Sequence, residues 1–146
     1  MDYKECEILI IEDNPNDAEL MVRSLKKNHL ANNLIVIDDG QEALDYISSK
    51  GKYVNRNIQE PPKVIFLDLK LPKVDGLEVL KELKSNKTTK KIPVVVLTSS
   101  KEDPDITKAY ELGANSYVVK PVDFEDFIKT LSQIGMYWIA VNEKPK

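Results

Sequence analysis

A doubly wound α/β fold on a five-stranded parallel sheet is what this chain predicts, and three observations predict it. Short apolar runs rich in branched residues, Ile8–Ile11, Leu34–Ile37, Val64–Leu67, Val94–Leu97 and Tyr117–Val119, have strand length and no in/out alternation. That is the pattern of strands buried on both faces of a sheet. Segments with helix start signals and helical spacing lie between them, so strand and helix alternate about five times. At 146 residues with 42% hydrophobic content, the chain has the size and apolar fraction of one domain with a single core.

Each helix carries its own signals. Asn14 is placed to cap the first, with Pro15 at the first helical position, Asp17 in the first turn, and Ala18, Met21, Val22 and Leu25 at helical spacing. Asp39 with Glu42 makes a capping-box pattern ahead of Ala43, Leu44 and Ile47. Asp75 precedes Leu77–Leu83 as a cap. Asp103 followed by Pro104 opens a helix through Ile106, Ala109 and Tyr110, with Gly113 as its stop. Asp123 opens the last helix, whose stripe runs Phe124, Phe127, Ile128, Leu131, Gly135 and Trp138. Trp138 keeps the phase, so the helix is expected to continue past Gly135. The long loop Ser48–Lys63 holds Gly51, Pro61 and Pro62. No linker or internal repeat divides the chain, so residues 1–146 read as one domain.

Charge and composition exclude several function classes. The 21 basic and 24 acidic residues leave a net charge of -3, without the basic excess of a nucleic-acid binder. A single cysteine, Cys6, excludes an internal disulfide framework and a multi-cysteine metal site. No apolar run approaches the roughly 20 residues of a membrane span, and Met1–Glu7 lacks a signal-peptide pattern. The expected setting is a reducing, cytoplasmic one.

The residues with chemistry to offer follow the apolar runs. Glu12 and Asp13 come after the first, Asp68 after the third, Thr98 after the fourth and Lys120 after the fifth. In a parallel sheet all of these reach the carboxyl edge, where ligands bind. With a flavodoxin-like strand order, 2-1-3-4-5, the first and third strands are neighbours, and Glu12, Asp13 and Asp68 meet. Three carboxylates in one crevice repel unless a cation offsets them. Oxygen ligands without His or Cys suit a hard ion such as Mg²⁺. Lys120 supplies a mobile positive charge and Thr98 a hydroxyl donor, both suited to phosphoryl oxygens. The set reads as a carboxylate nucleophile that takes up a phosphoryl group.

Over essentially its whole length the sequence resembles the receiver domains of two-component response regulators. The resemblance is carried by Ile11-Glu12-Asp13-Asn14-Pro15, Leu67-Asp68 with Leu71-Pro72 and Asp75-Gly76, Leu97-Thr98-Ser99, Gly113-Ala114 and Lys120-Pro121. It implies a flavodoxin-like (βα)5 fold and a phosphorylation-activated switch, not a turnover enzyme. Asp68 would accept the phosphoryl group from a phosphohistidine on a sensor histidine kinase. Asp13, Asp68 and the Lys70 carbonyl would ligate Mg²⁺, with Glu12 acting through metal-bound water. Thr98 and Lys120 would bind the phosphoryl oxygens, and Lys120–Pro121 would be a cis peptide. Thr98 and Tyr117 would form the switch, while Lys70 and Ser100 occupy positions that influence phosphate loss.

Only the short polar tail Asn142–Lys146 lies beyond the receiver pattern, so no DNA-binding or enzymatic output domain is expected and output is expected by protein–protein contact, to a downstream target or a phosphotransfer protein. Homodimerisation or docking would use the face of the fourth helix, fifth strand and fifth helix, roughly Pro104–Gly113 and Tyr117–Trp138. The opening Glu12-to-Ala18 segment, the long loop and the Tyr137-Trp138 tail look most like the small response regulators of phytochrome-type and hybrid kinases.

Two other classes fit less well. An aspartyl-phosphate phosphatase needs a second carboxylate two residues after its nucleophile, where this chain has Lys70. A flavodoxin-like mononucleotide carrier needs a hydroxyl- and glycine-rich loop after the first strand, where Glu12-Asp13 would repel phosphate. Several residues carry bland readings. Asn14 and Asp17 read as helix N-terminal structure, His29 as solvent-facing, and Cys6 as a free thiol. The Asn86-Lys87-Thr88 sequon reads as chance, and Lys84, Lys87, Lys90 and Lys91 as a solvated basic face.

Overall fold

The computed structural model describes residues 7–30, 33–54 and 61–143; Cys6 lies outside them. Five strands, β1 (Ile8–Ile11), β2 (Leu34–Ile37), β3 (Val64–Leu67), β4 (Val94–Thr98) and β5 (Ser116–Val119), alternate with five helices. The helices are α1 (Pro15–Lys27), α2 (Gly40–Ser48), α3 (Gly76–Ser85), α4 (Asp103–Glu111) and α5 (Phe124–Gly135). A 3-10 turn, Gly51–Tyr53, follows α2, and a π-helical turn, Met136–Val141, extends α5.

All strand pairings are parallel and the order is β2-β1-β3-β4-β5. This is the flavodoxin-like arrangement anticipated from the sequence. β1, β3 and β4 are buried along their full length, whereas the edge strands β2 and β5 are partly exposed. An apolar run alone cannot separate a central strand from an edge strand, because the missing neighbour is a tertiary fact. Alternate residues of each central strand feed opposite cores. Leu9, Ile11, Ile65 and Leu67 pack with α2, α3 and α4, while Ile8, Ile10, Val64 and Phe66 pack with Met21 and Leu25 of α1 and Phe127 and Leu131 of α5. Burying each such side chain contributes about 1.5–3 kcal/mol.

The helix caps follow the sequence at four ends. Asn14 accepts from the Asn16 and Asp17 amides, Asp39 from Glu42, Asp75 from Glu78 and Asp123 from Asp126. Several expectations need correction. Glu42 does not close a capping box; its carboxylate instead takes the Tyr53 hydroxyl at 2.8 Å and the Lys52 ammonium. The N-cap of α4 is Glu102, with Asp103 already inside the first turn. Tyr110 and Phe124 face solvent, at 50% and 59% exposure, because Ala109 and Phe127 take the core positions of their helices. Beyond Gly135 the chain stays helical but widens to π pitch. Trp138 still packs partly buried against the α1/α5 core. Gly135 itself has no room for a side chain: a Cβ there would lie 2.8 Å from both Leu25 Cδ2 and Leu30 Cδ1.

The basic stretch also differs from expectation. Lys84 is not a solvated lysine: its ammonium donates to Ile92 O at 2.8 Å, Asn115 Oδ1 at 3.0 Å and Lys90 O at 3.1 Å. Asn115 Oδ1 also accepts from Val94 N at 2.8 Å. One side chain from α3 thereby ties together the entries to β4 and β5. His29 is exposed as expected, and it ends α1 in the left-handed region at φ 55°.

Candidate functional site

The parallel register sets the site. Ile11 pairs with Leu67, so the residues following them, Glu12 and Asp68, leave adjacent strands at one level. Backbone bonds carry the ladder one step further on each side: Asp68 N donates to Ile11 O at 3.0 Å, Glu12 N to Ile37 O at 2.9 Å and Lys120 N to Thr98 O at 2.7 Å. Carboxylate oxygens of Glu12, Asp13 and Asp68 all lie within 4.8 Å of one another. Glu12 and Asp68 are buried, at 2% and 7% exposure, and Asp13 faces solvent.

Lys120 reaches into this cluster. Its ammonium lies 2.5 Å from Glu12 Oε1, 2.9 Å from Asp68 Oδ2 and 2.9 Å from Asp17 Oδ2, with its side chain only 8% exposed. Three N–H donors therefore meet three carboxylates. The other oxygens bond locally, Glu12 Oε2 to Asn14 N at 3.1 Å and Asp68 Oδ1 to Lys70 N at 3.3 Å. Asp17 is the residue sequence reasoning passed over. An acidic residue in the first turn of a helix is ordinary, since the helix dipole favours it there. Nothing in the sequence links it to a lysine 103 positions away.

The electrostatics follow from burial and these contacts. Burial pushes the Glu12 carboxyl up to about 8, helped by the neighbouring Asp68 charge and opposed by Lys120. Burial also acts to raise Asp68, but hydrogen bonds from Glu12, Thr98 and Lys120 outweigh it and hold the carboxyl below its ordinary value. Burial would weaken the Lys120 charge, yet Glu12, Asp17 and Asp68 more than restore it, so the ammonium stays protonated. The cluster thus couples one carboxyl that tends to keep its proton with one that is ionised and hydrogen-bonded to a cation.

The surrounding backbone holds Asp68 in position. Gly76, at the start of α3, donates its N–H to Leu69 O at 2.8 Å, and a Cβ there would lie 2.2 Å from Asp68 O. Thr98 is fully buried and Ser100 N approaches its hydroxyl at 3.5 Å. Tyr117 is partly buried and its hydroxyl donates to Ser100 O at 2.8 Å, so the fifth-strand aromatic is tied to the loop after Thr98. Lys70 is exposed beside Asp68. The described residues contain no cis peptide, so Lys120–Pro121 is trans, contrary to the sequence expectation. Trans is the lower-energy form of an X–Pro bond by about 0.5–1 kcal/mol.

The oxygen-only donor set of Glu12, Asp13 and Asp68 fits a hard divalent cation. A second acidic group, Asp38, Asp39 and Glu42, has a comparable spread, but Asp39 caps α2 and Glu42 serves Tyr53 and Lys52.

Comparison with known proteins matches nearly the whole chain and its fold. Residues 8–132 match the family model of the response regulator receiver domain. The chain is 39% identical over 138 residues to the response regulator Rcp1 of Synechocystis sp., covering 94% of this chain and 92% of Rcp1. It is also 39% identical over 138 residues to the probable methanogenesis regulatory protein FilR2 of Methanothrix harundinacea, covering 94% and 86% of the two chains. The Mn(2+)-bound form of Rcp1 superimposes with a TM-score of 0.89 at 38% identity, over 95% of this chain and 98% of that one. The phosphorylated cyanobacterial phytochrome response regulator RcpA does so with 0.88 at 36% identity, over 95% and 97%.

Proposed function

The chain belongs to the response regulator receiver family of two-component signalling, and on that premise we propose that it is a switch phosphorylated on Asp68 by a sensor histidine kinase. The observation that carries this reading is the contact of the Lys120 ammonium with Asp68 Oδ2 at 2.9 Å beside the Glu12, Asp13 and Asp68 cluster. An ionised Asp68 oxygen attacks phosphorus, a P–O bond forms, and the P–N bond of the phosphohistidine breaks with its electron pair passing to the imidazole. Lys120 and the Thr98 hydroxyl donate to the phosphoryl oxygens as charge shifts onto them. Asp13, Asp68 and the Lys70 carbonyl would hold Mg²⁺, with Glu12 acting through metal-bound water. When bound, the ion supplies positive charge that offsets the negative charge collecting at the reacting phosphate. A bound divalent metal in Rcp1 and phosphorylation of RcpA support both parts of this reading.

Output passes through protein contacts. Thr98 moves toward the phosphoryl group, and Tyr117, joined to the same loop through Ser100 O, carries the change to α4, β5 and α5. That face exposes Tyr110, Val119, Val122 and Phe124, which suit a second copy of the chain, a downstream target or a phosphotransfer protein. Residues 1–146 act as one receiver unit in the cytoplasm; none of the described helices is long and apolar enough to cross a membrane.

Incubation with Mg²⁺ and acetyl phosphate, followed by intact mass, tests the assignment. One phosphate adds to the wild type and none to Asp68→Asn. Equal labelling of the two proteins would refute Asp68 as the acceptor.

A further inference from the structure

We propose that Asp17 is a positioning residue for Lys120, keeping the lysine ammonium aimed at Asp68 while its other two partners are engaged in the reaction. The inference rests on Asp68 being the phosphoacceptor. Lys120 has three carboxylate partners, and they are not equivalent. Glu12 and Asp68 belong to the cluster whose oxygens lie within 4.8 Å of one another, whereas Asp17 does not. A dication bound there competes with Lys120 for Glu12 and Asp68, and a phosphoryl group on Asp68 consumes one of its oxygens. Neither event touches Asp17, so its bond of 2.9 Å to the ammonium persists through the cycle.

Asp17 is held for this task from the helix side. Asn14 Oδ1 accepts from Asn16 N at 3.0 Å and from Asp17 N at 3.1 Å, fixing the first turn of α1. The carboxylate projects from that turn to a lysine at the end of β5, so the contact joins α1 to the site across the top of the sheet. A lysine stem has four rotatable carbons, and an ammonium released by both cluster carboxylates would lose its aim without a fixed anchor. An acidic residue that merely complemented the helix dipole would need no such partner.

The test is the time course of labelling by acetyl phosphate at saturating Mg²⁺, read by intact mass on the full chain. Asp17→Ala slows labelling about tenfold, the scale of one charge-assisted hydrogen bond. Asp17→Asn stays within about threefold, because its amide oxygen still accepts from the ammonium. In a Lys120→Ala background Asp17→Ala costs nothing further, since its effect runs through Lys120. Labelling of Asp17→Ala at the wild-type rate would overturn the inference alone, and so would an undiminished tenfold loss in the Lys120→Ala background. A wild type that takes no label, or an Asp68→Asn variant that labels equally, overturns the parent reading and the inference with it. Circular dichroism and urea midpoints close to wild type are expected for both Asp17→Ala and Asp17→Asn, which shows that the rate difference between them is not a loss of folded protein.

Discussion

Two partly buried lysines stand at opposite edges of one sheet, and each binds three oxygen atoms. At the carboxyl edge Lys120 meets the carboxylates of Glu12, Asp17 and Asp68. At the amino edge Lys84 meets the carbonyl oxygens of Lys90, Ile92 and Asn115. The geometries are alike and the electrostatics are opposite. Carboxylates strengthen the Lys120 charge against burial, whereas burial pulls the Lys84 ammonium, set among three neutral oxygens, below its ordinary value. A lysine among charges can exchange one anion for another, such as a phosphoryl oxygen for a carboxylate. A lysine among neutral carbonyls has nothing to exchange and acts as a strut.

The largest expected effect breaks this contrast at its functional end. Lys120→Met removes the ammonium that faces Asp68 and lowers the labelling rate at least tenfold, to about a hundredfold at the upper range of one charged hydrogen bond. Lys84→Met, measured alongside with the same donor, labels within about twofold of wild type. Equal losses in the two variants would mean that both lysines serve the fold alone.

Protonation sharpens the same contrast. Folded Glu12 keeps its proton up to about 8, whereas in the unfolded chain it is lost near 4.5. Between those values the folded state binds more protons, so the stability of the metal-free protein falls as pH rises through that window. A dication needs the ionised carboxylate. Mg²⁺ binding at pH 7 therefore releases about one proton, and progressively less above pH 8. Calorimetric titrations in two buffers of different ionisation enthalpy measure the release. It is unchanged in Lys84→Met and lost in Glu12→Gln.

The strut shows itself in stability. Lys84→Met leaves carbonyl oxygens without their donor and lowers the unfolding free energy by about 1–3 kcal/mol. Urea denaturation detects this as a lower midpoint at constant slope. Gly113 adds a second constraint at this edge. It sits at φ 105°, and a Cβ there would lie 3.0 Å from Lys84 Cγ.

The contrast also explains what was legible in the sequence. The central strands were, because β1, β3 and β4 are buried on both faces and so read as unbroken apolar runs. Helix starts were legible wherever the cap is a local bond, as at Asn14, Asp39, Asp75 and Asp123. Glu12, Asp13, Asp68, Thr98 and Lys120 could be brought to one edge because strand order and strand ends suffice for that. What stayed hidden depends on side chains meeting across the fold. Asp17 looks like any acidic first-turn residue until Lys120 is seen against it. Lys84 looks like a surface lysine until the entries to β4 and β5 fold around its ammonium. Nor does helical periodicity encode the π turn after Gly135, or the approach of Leu25 and Leu30 that leaves Gly135 no room for a side chain.

The smallest expected effect makes one edge more like the other. Asn115→Asp is nearly isosteric and places an anion where Lys84 now meets an amide oxygen, while the Val94 N–H keeps an acceptor in the same place. The new carboxylate faces an ammonium, so its folded-state pKa falls below the unfolded value of about 3.9. A carboxyl depressed in this way contributes stability that is present above the unfolded pKa and lost as pH falls through the folded one. Residue 115 is exposed, so solvent limits the gain to about 1 kcal/mol or less at pH 7. Urea midpoints at pH 7 and at pH 2.5 give the difference, and added salt at pH 7 diminishes it. If the variant is no more stable at pH 7 than at pH 2.5 relative to wild type, the neutral ring around Lys84 is already as favourable as a charged one. The two lysines would then differ only in what their partners can exchange, and not in how strongly they are held.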